Sequence, residues 1–335
     1  MVELVYTYDS KSYAARLEGS TPSRGTLVSN RKKPKVVTVV GPTASGKTDL
    51  TIKLAEHFAG EVISADSRQV YCGLDIGTAK VTPEEMAGIP HHLIDVADVQ
   101  TIYTAADFKR GASAAIADIT SRGKLPIIAG GTFFYVDALL GNVQLPEVPP
   151  NETLRAELEE KDITELLALL TELDPTRAQT IDAQNKRRLI RAIEIAEVLG
   201  SVSAEKTECP YEVLTIGLIT EKETLRERFG LRAKNWLEGG LLQEVEGLLA
   251  QGITKGRLQE IGFEYTLALE LLDGGITEEQ FTQKFIEKNW QYAKRQLTWL
   301  KRDQTIRWFD KDDKKIFEEV EGFYSRRFPR AVTSY

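Results

Sequence analysis

Eight consecutive residues constrain this chain more than any others: Gly41-Pro42-Thr43-Ala44-Ser45-Gly46-Lys47-Thr48, a complete G-x-x-x-x-G-K-[ST] segment. They follow Val36-Val37-Thr38-Val39-Val40, a β-branched run of the kind that forms a buried parallel strand. A helix is expected after them, from about Lys47 to Phe58. The glycines let the backbone curl so that successive N–H groups face inward, and with the helix N-terminus they form a nest for an anion. Lys47 adds a point charge on the phosphates, and the Thr48 hydroxyl can ligate Mg²⁺. The loop specifies phosphate or diphosphate, not ATP. A typical nucleoside triphosphatase has a second apolar strand ending in Asp, which helps hold the metal. Here the corresponding strand, Pro126–Ala129, ends in Gly130-Gly131-Thr132, as it also can in small-metabolite kinases.

The apolar runs around the loop continue its pattern. Glu61-Val-Ile-Ser-Ala65 reads as a second strand, 103–121 as a helix, 125–131 as a buried strand and 213–219 as a fourth strand. Strand, helix, strand in that rhythm predicts an α/β fold: a doubly wound parallel sheet of the P-loop NTPase kind, with helices on both faces. Amphipathic periods over 151–171, 185–199, 222–251 and 277–302 predict helices. The three prolines of 141–150 mark a boundary. The expected organisation is an arm over 1–34, a core over 35–140 and 185–310, a helical insertion domain over 141–184 and a peripheral tail over 311–335.

Composition then narrows the partners. With 42% hydrophobic and 28% charged residues, the chain is an ordinary globular one. No stretch of about 18 apolar residues is present to span a membrane. Cys72 and Cys209, the only cysteines, stand far apart, which excludes a disulfide scaffold and fits a reducing compartment. The start lacks a basic region followed by an apolar run, so a cytoplasmic protein is expected, by default a monomer. The net charge of −7 argues mildly against nucleic acid as a partner. Its distribution matters more: residues to Lys35 carry +4 and the remainder −11. The basic arm reads as a solvated leader in preference to a nucleic-acid-binding segment.

The second strand leads into Asp66-Ser67-Arg68-Gln69-Val70-Tyr71. In a doubly wound sheet the carboxyl ends of the strands face one crevice, so Asp66 is expected beside the phosphate loop. There a carboxylate can ligate metal or take a proton from a nucleophile; it can equally cap the turn that follows it. His91 and His92 have no third ligand at metal-site spacing, and Asp95 is expected to orient one ring or cap a helix.

In order along the chain stand GPTASGKT, DSRQVY, Asp75-Ile-Gly-Thr-Ala-Lys80, His91-His-Leu-Ile-Asp95, Gly130-Gly-Thr-Phe-Phe-Tyr135, Asn185-Lys-Arg-Arg-Leu-Ile-Arg191 and Lys294-Arg-Gln-Leu-Thr-Trp-Leu300. This ordered set, spanning about 36–310, resembles the tRNA dimethylallyltransferase (tRNA isopentenyltransferase) family. The resemblance implies transfer of the prenyl group of dimethylallyl diphosphate to N6 of the adenosine just 3′ of the anticodon, in tRNAs reading codons that begin with U. It implies diphosphate binding by Gly41 to Thr48 with Arg228 and Arg232, Mg²⁺ on Thr48, and catalysis by Asp66 as general base with Thr48 and Arg232. It further implies tRNA contacts, chiefly to the anticodon stem-loop, by Asp66, Ser67, Arg68, Gln69, Thr132, Asn185, Arg187, Arg188, Arg191, Arg295, Gln296 and Thr298. Phe133, Phe134 and Tyr135 are candidates to wall the prenyl pocket, with plain core as the competing reading.

The implied chemistry agrees with the residues. Allylic C–O cleavage leaves a diphosphate of growing negative charge, which N–H groups, Lys47 and a Thr48-bound cation stabilise. A stacked adenine must be extruded to reach such a site, and cations must hold the RNA backbone. Arg187, Arg188 and Arg191 share a helix face; its competing reading is a solvated face paired with Glu194. Lys284, Lys288, Lys294, Arg295, Lys301 and Arg302 interleave with Trp290, Tyr292 and Trp299 on a second basic helix. Two segments depart from the family pattern: Leu199-Gly-Ser-Val-Ser203, and Ile261-Gly-Phe263-Glu-Tyr265, where Phe263 stands for a usual tyrosine. A small-metabolite kinase, a prenyltransferase of free adenine nucleotides and an inactive RNA-binding protein are the alternatives.

Overall fold

The structure, a computed structural model, describes residues 32–201 and 207–325. Residues 1–31 of the expected arm, and residues 202–203 of the divergent 199–203 segment, lie outside the described residues. The chain divides into two compact units, one formed by residues up to Val136 and from Pro210 on, the other by Asp137–Cys209.

The first unit is built on β1 (Lys35–Val40), whose six residues are all buried, as a continuous apolar run predicts. The loop 41–46 leads into α1 (Lys47–His57), with Asp49 in its first turn and His57 in its last, both matched to the helix dipole. Then come β2 (Gly60–Ser64), α2 (Pro83–Met86), β3 (His91–His92), α3 (Ala105–Ser121), β4 (Leu125–Ala129) and α4 (Phe133–Leu140), the unit boundary falling inside α4. Thr104 and Asp107 form a capping box at the start of α3.

The second unit holds α5 (Glu152–Glu159), α6 (Ile163–Leu173), α7 (Pro175–Thr180) and α8 (Lys186–Leu199). The chain returns to the first unit as β5 (Glu212–Ile219), α9 (Lys222–Glu238), α10 (Leu241–Ala250), α11 (Lys255–Ile261), α12 (Phe263–Leu272), α13 (Glu278–Leu300), β6 (Arg307–Asp310) and α14 (Lys315–Ser325). The expected 222–251 helix is broken at Gly239-Gly240 into α9 and α10. No described helix is long and apolar enough to cross a membrane.

The sheet order is β3-β2-β4-β1-β5-β6, with every pair parallel. The α/β parallel sheet is therefore as expected, but β2 is not the neighbour of β1. β4 lies between them, with Val37 opposite Ile127 and Ile63 opposite Ile128. The turn after β4 thus stands between the phosphate loop and Asp66. It can do so because Gly130 has no side chain: a Cβ there would lie 2.2 Å from the Ala65 carbonyl oxygen. β3 and β6, two short edge strands, have no counterpart in the sequence reading.

Two expected boundaries need correction. Leu189, Ile190 and Ile193 of α8 pack with Leu158, Leu166 and Leu170 in the core of the second unit. The helical insertion therefore runs over Asp137–Cys209, in place of 141–184. Of the expected tail over 311–335, residues 326–335 lie outside the described residues, and 311–325 are not peripheral. Ile316 and Val320 are fully buried in the cluster formed by β1, β5 and α1, among Val37, Leu54, Leu214 and Ile216.

Candidate functional site

The carboxyl ends of the parallel strands open into a cavity of about 1010 Å³, lined among others by Thr43–Thr48, Asp66, Arg68, Gly131, Arg228, Arg232, Glu264, Tyr292 and Gln296. Its floor is the phosphate loop. Gly46 opens α1 from the left-handed region at φ 93°, which frees the first turn of the helix to face the cavity. The Lys47 ammonium donates to the Gly41 and Pro42 carbonyls at 2.9 and 2.7 Å. Burial lowers its pKa to about 7; the nearby Asp66 opposes that fall and Arg232 adds to it. An anion bound here would offset the burial cost and keep the ammonium charged.

Helices α9 and α13 fix the loop. Arg228 donates to the Ala44 carbonyl at 2.8 Å and Arg232 to the Thr43 hydroxyl at 3.2 Å. Burial lowers the pKa of Arg232, so it too gains from a bound anion. Gln296 is only 4% exposed; its Oε1 accepts from the Thr43 N–H at 2.8 Å and its Nε2 donates to the Gly131 carbonyl at 3.0 Å. Both ends of its amide are used to brace the loop against the turn after β4, which differs from the RNA contact expected of it.

Of the two readings open for Asp66, the turn cap is present, and the same residue also lines the cavity. Its Oδ1 accepts from the backbone N–H of Arg68 at 2.9 Å and of Gln69 at 3.4 Å, capping the turn. Oδ2 has no hydrogen bond among the described residues, and Asp66 lines the cavity. Beside it the Thr132 hydroxyl accepts from the Ser67 N–H at 3.0 Å and donates to the Ser67 hydroxyl at 3.1 Å. The Gln69 amide donates to the Ala79 carbonyl at 2.9 Å. Arg68 is paired with Glu264 at 2.5 Å and lies over the Tyr292 ring, with 5.6 Å from Cζ to the centroid. Burial works against the charge of Arg68, but Glu264 and Asp66 outweigh it and hold the guanidinium protonated.

Thr48 lines the cavity, and its hydroxyl has no hydrogen bond among the described residues. Asp49, its neighbour, is turned to Lys53 at 2.9 Å. No cluster of three or more His, Cys, Asp or Glu able to hold a metal occurs among the described residues. This donor set fits Mg²⁺, which takes few protein ligands and completes its shell with water and substrate phosphate. It would not fit a cation that needs an all-protein cage.

The other expected residues fall into two groups. Arg295 lies over Tyr292 at 5.8 Å, and Thr298 donates to the Lys294 carbonyl at 2.9 Å, both on α13. On α8, Asn185 caps the helix through the Arg188 N–H at 3.2 Å, Arg188 pairs with Asp182 at 3.4 Å, and Arg187 is exposed. Arg191 is held inside the second unit by Glu194 at 2.9 Å and by the Val148 carbonyl at 2.7 Å. Glu194 is itself 1% exposed and also takes Arg155, so for Arg191 the paired reading prevails.

Two sequence readings are decided here. Phe133 packs with Val40, Leu300 and Ile306, and Tyr135 stacks on Phe108; neither they nor Phe134 line the cavity. His92 is held by Glu61 at 2.8 Å, while Asp95 pairs with Lys80. The sequence reading also missed Glu244, which accepts from the N–H groups of Asp75, Ile76 and Gly77 at 2.8, 2.6 and 3.1 Å and so pins that wall of the cavity.

A family model described as IPP transferase matches residues 69–303. A tRNA dimethylallyltransferase of Anoxybacillus flavithermus is 41% identical over 290 residues, covering 85% of this chain and 93% of that one. One from an Exiguobacterium species is 42% identical over 310 residues, covering 88% and 98%. Among solved structures, the full-length tRNA isopentenylpyrophosphate transferase of Bacillus halodurans matches with a TM-score of 0.66 at 39% identity, covering 88% of this chain and 98% of that one. A eukaryotic dimethylallyltransferase, captured in crystallographic snapshots acting on tRNA, matches with a TM-score of 0.70 at 28% identity over 89% and 77%.

Proposed function

We propose, for a chain that belongs to the IPP transferase family and transfers a dimethylallyl group to tRNA, that the donor is dimethylallyl diphosphate. The acceptor is N6 of the adenosine just 3′ of the anticodon, in tRNAs reading codons that begin with U. The observation that carries this reading is one cavity with two chemistries: an anion nest with Lys47 and Arg232, and the free Oδ2 of Asp66.

In the reaction so read, the loop N–H groups, Lys47, Arg228 and Arg232 gather the diphosphate. Thr48 would hold Mg²⁺, which would supply further stabilisation of the leaving group's charge. The extruded adenine presents N6 to the allylic carbon. The N–C bond forms as the C–O bond breaks, the diphosphate leaves with the electron pair, and the N6 proton passes to Asp66. Ser67, Arg68, Gln69 and Thr132 border the adenine, with Arg68 aligned by Glu264 and Tyr292. In the second unit the exposed Arg187 and Arg188 of α8 are read as contacts to the anticodon stem-loop, and in the first unit Arg295 of α13 is read as an RNA contact. The enzyme acts as a monomer in the cytoplasm.

The test is direct. Protein, Mg²⁺, dimethylallyl diphosphate and unmodified tRNA with an A-ending anticodon followed by A are incubated, and the digested nucleosides analysed. N6-dimethylallyl-adenosine is expected. Its absence, or a prenyl group found on another nucleoside, overturns this choice of donor and acceptor. Asp66→Asn is expected to lower kcat by about 10²–10⁴-fold while tRNA affinity stays within twofold of wild type. Loss of both together would make Asp66 structural.

A further inference from the structure

We propose that Lys311 is a further diphosphate-binding residue, a cation that completes the phosphate loop from the far end of the chain. The inference rests on the reading above, in which that loop holds the donor's diphosphate. Lys311 lies beyond the segment that matches the family model, which ends at residue 303. Its placement comes from the topology of this chain. It is the first residue after β6, and β6, β5 and β1 are successive parallel neighbours, so the turn after β6 opens on the same side as the loop after β1.

Two observations bring its side chain to the loop. A Cβ built on Gly46 would lie 3.3 Å from Lys311 Cδ, so the aliphatic stem crosses the residue that opens α1. Lys311 also lines the cavity together with Lys47 and Thr48. Its ammonium is only loosely engaged: the Asp312 carboxylate stands 3.7 Å away, and the two side chains are 41% and 75% exposed. An exposed pair of that length holds its partners weakly. A lysine on a flexible four-carbon stem can then turn onto a phosphate oxygen.

The site has a use for such a cation. The Lys47 ammonium is bonded to two loop carbonyls, and Arg228 is bonded to a third. The diphosphate gains charge as the allylic bond breaks, and a mobile ammonium at the loop's edge meets that charge without a rearrangement of the nest.

Steady-state kinetics of Lys311→Ala, Lys311→Glu and Lys311→Arg, with donor and tRNA varied separately, tests the proposal. Lys311→Ala is expected to raise the KM for dimethylallyl diphosphate about three- to tenfold, Lys311→Glu to raise it further, and Lys311→Arg to stay within about twofold of wild type. The KM for tRNA and the thermal midpoint are expected to be unchanged. An unchanged donor KM in both the Ala and Glu variants overturns the proposal. So does a rise confined to the KM for tRNA, which would put the ammonium on an RNA phosphate. Calorimetric titration of inorganic diphosphate separates this inference from the reading beneath it. If wild type makes no prenyl-adenosine but Lys311→Ala weakens diphosphate binding by the same factor, the transfer reading fails and the Lys311 site stands. If wild type transfers the prenyl group and diphosphate affinity is identical in Lys311→Ala, the Lys311 inference alone fails.

Discussion

Gln296 shows how much a single amide can decide. Its two hydrogen bonds join the loop after β1 to the turn after β4, two segments that line the same cavity. Replacing it with Ala leaves the Thr43 N–H and the Gly131 carbonyl without that partner. We expect Gln296→Ala to cost about 1–3 kcal/mol of stability and to raise the donor KM, seen as a lower thermal midpoint and weaker diphosphate binding. A variant of wild-type stability that loses only tRNA affinity would return Gln296 to the RNA face. The loop itself was legible because its spacing has one physical use. The role of Gln296 was not, because Arg295 and Gln296 are adjacent and the rotation of α13 decides which turns inward. A signal was present: Asn289, Ala293, Gln296 and Leu300 are the buried residues on this stretch of α13, spaced as one helical stripe. A polar residue on such a stripe is committed to internal partners.

At the scale of elements, buried carboxylates do the joining, and sequence pattern reports them poorly. Glu194 draws Arg155 and Arg191 together within the second unit, so the α8 residues that read as a basic face are partly its own internal pairs. Glu61 plays the same part in the sheet. It lies on β2, 1% exposed, and binds Arg122, Lys124 at 2.7 Å and His92 at 2.8 Å, tying β2 to β3 and to the α3–β4 turn. The Arg122 guanidinium, helped by Lys124 and His92, outweighs the cost of burial and holds the Glu61 pKa well below the usual carboxylate range. The sign of the linkage follows. A depressed carboxylate contributes stability that is fully present above its unfolded-state pKa of about 4.3 and is lost as pH falls toward the folded-state value. Glu61→Gln is therefore expected to lower stability at pH 7 by about 1–2 kcal/mol, an amount held down because Arg122 and Lys124 are partly solvated. The deficit should shrink as pH falls below about 4. Urea unfolding at a series of pH values measures it, and a deficit constant from pH 7 to pH 3 would remove Glu61 from the acid response.

Over the whole molecule, the central strands were legible and the edges were not, for a common reason. β1, β2, β4 and β5 are the inner strands of the sheet, with buried central residues, and so each shows a short apolar run. β6 has four residues, exposed at both ends, and α14 shows its apolar face only every third or fourth residue within a strongly charged stretch. Its charged surface made that stretch resemble a tail, yet it supplies part of the core on which β1 and β5 rest. The net charge of −7 has a similar lesson: it sums surfaces that act separately, and a site for one RNA loop needs only its own cations. The structural role of α14 can be measured. Ile316 is fully buried, and truncating it to Ala removes apolar contacts and leaves a cavity, a change that costs about 2–5 kcal/mol. Against a typical total stability of about 5–15 kcal/mol, that loss is large. We expect Ile316→Ala to lower the thermal midpoint by roughly 4–20 °C at about 2–4 °C per kcal/mol. Removing everything after Asp310 uncovers the same face entirely and should abolish soluble expression. A midpoint within about 1 °C of wild type for Ile316→Ala would mean that α14 is dispensable to the core. Lys311, which enters the cavity from the turn between β6 and α14, would then lack the anchor that its position requires.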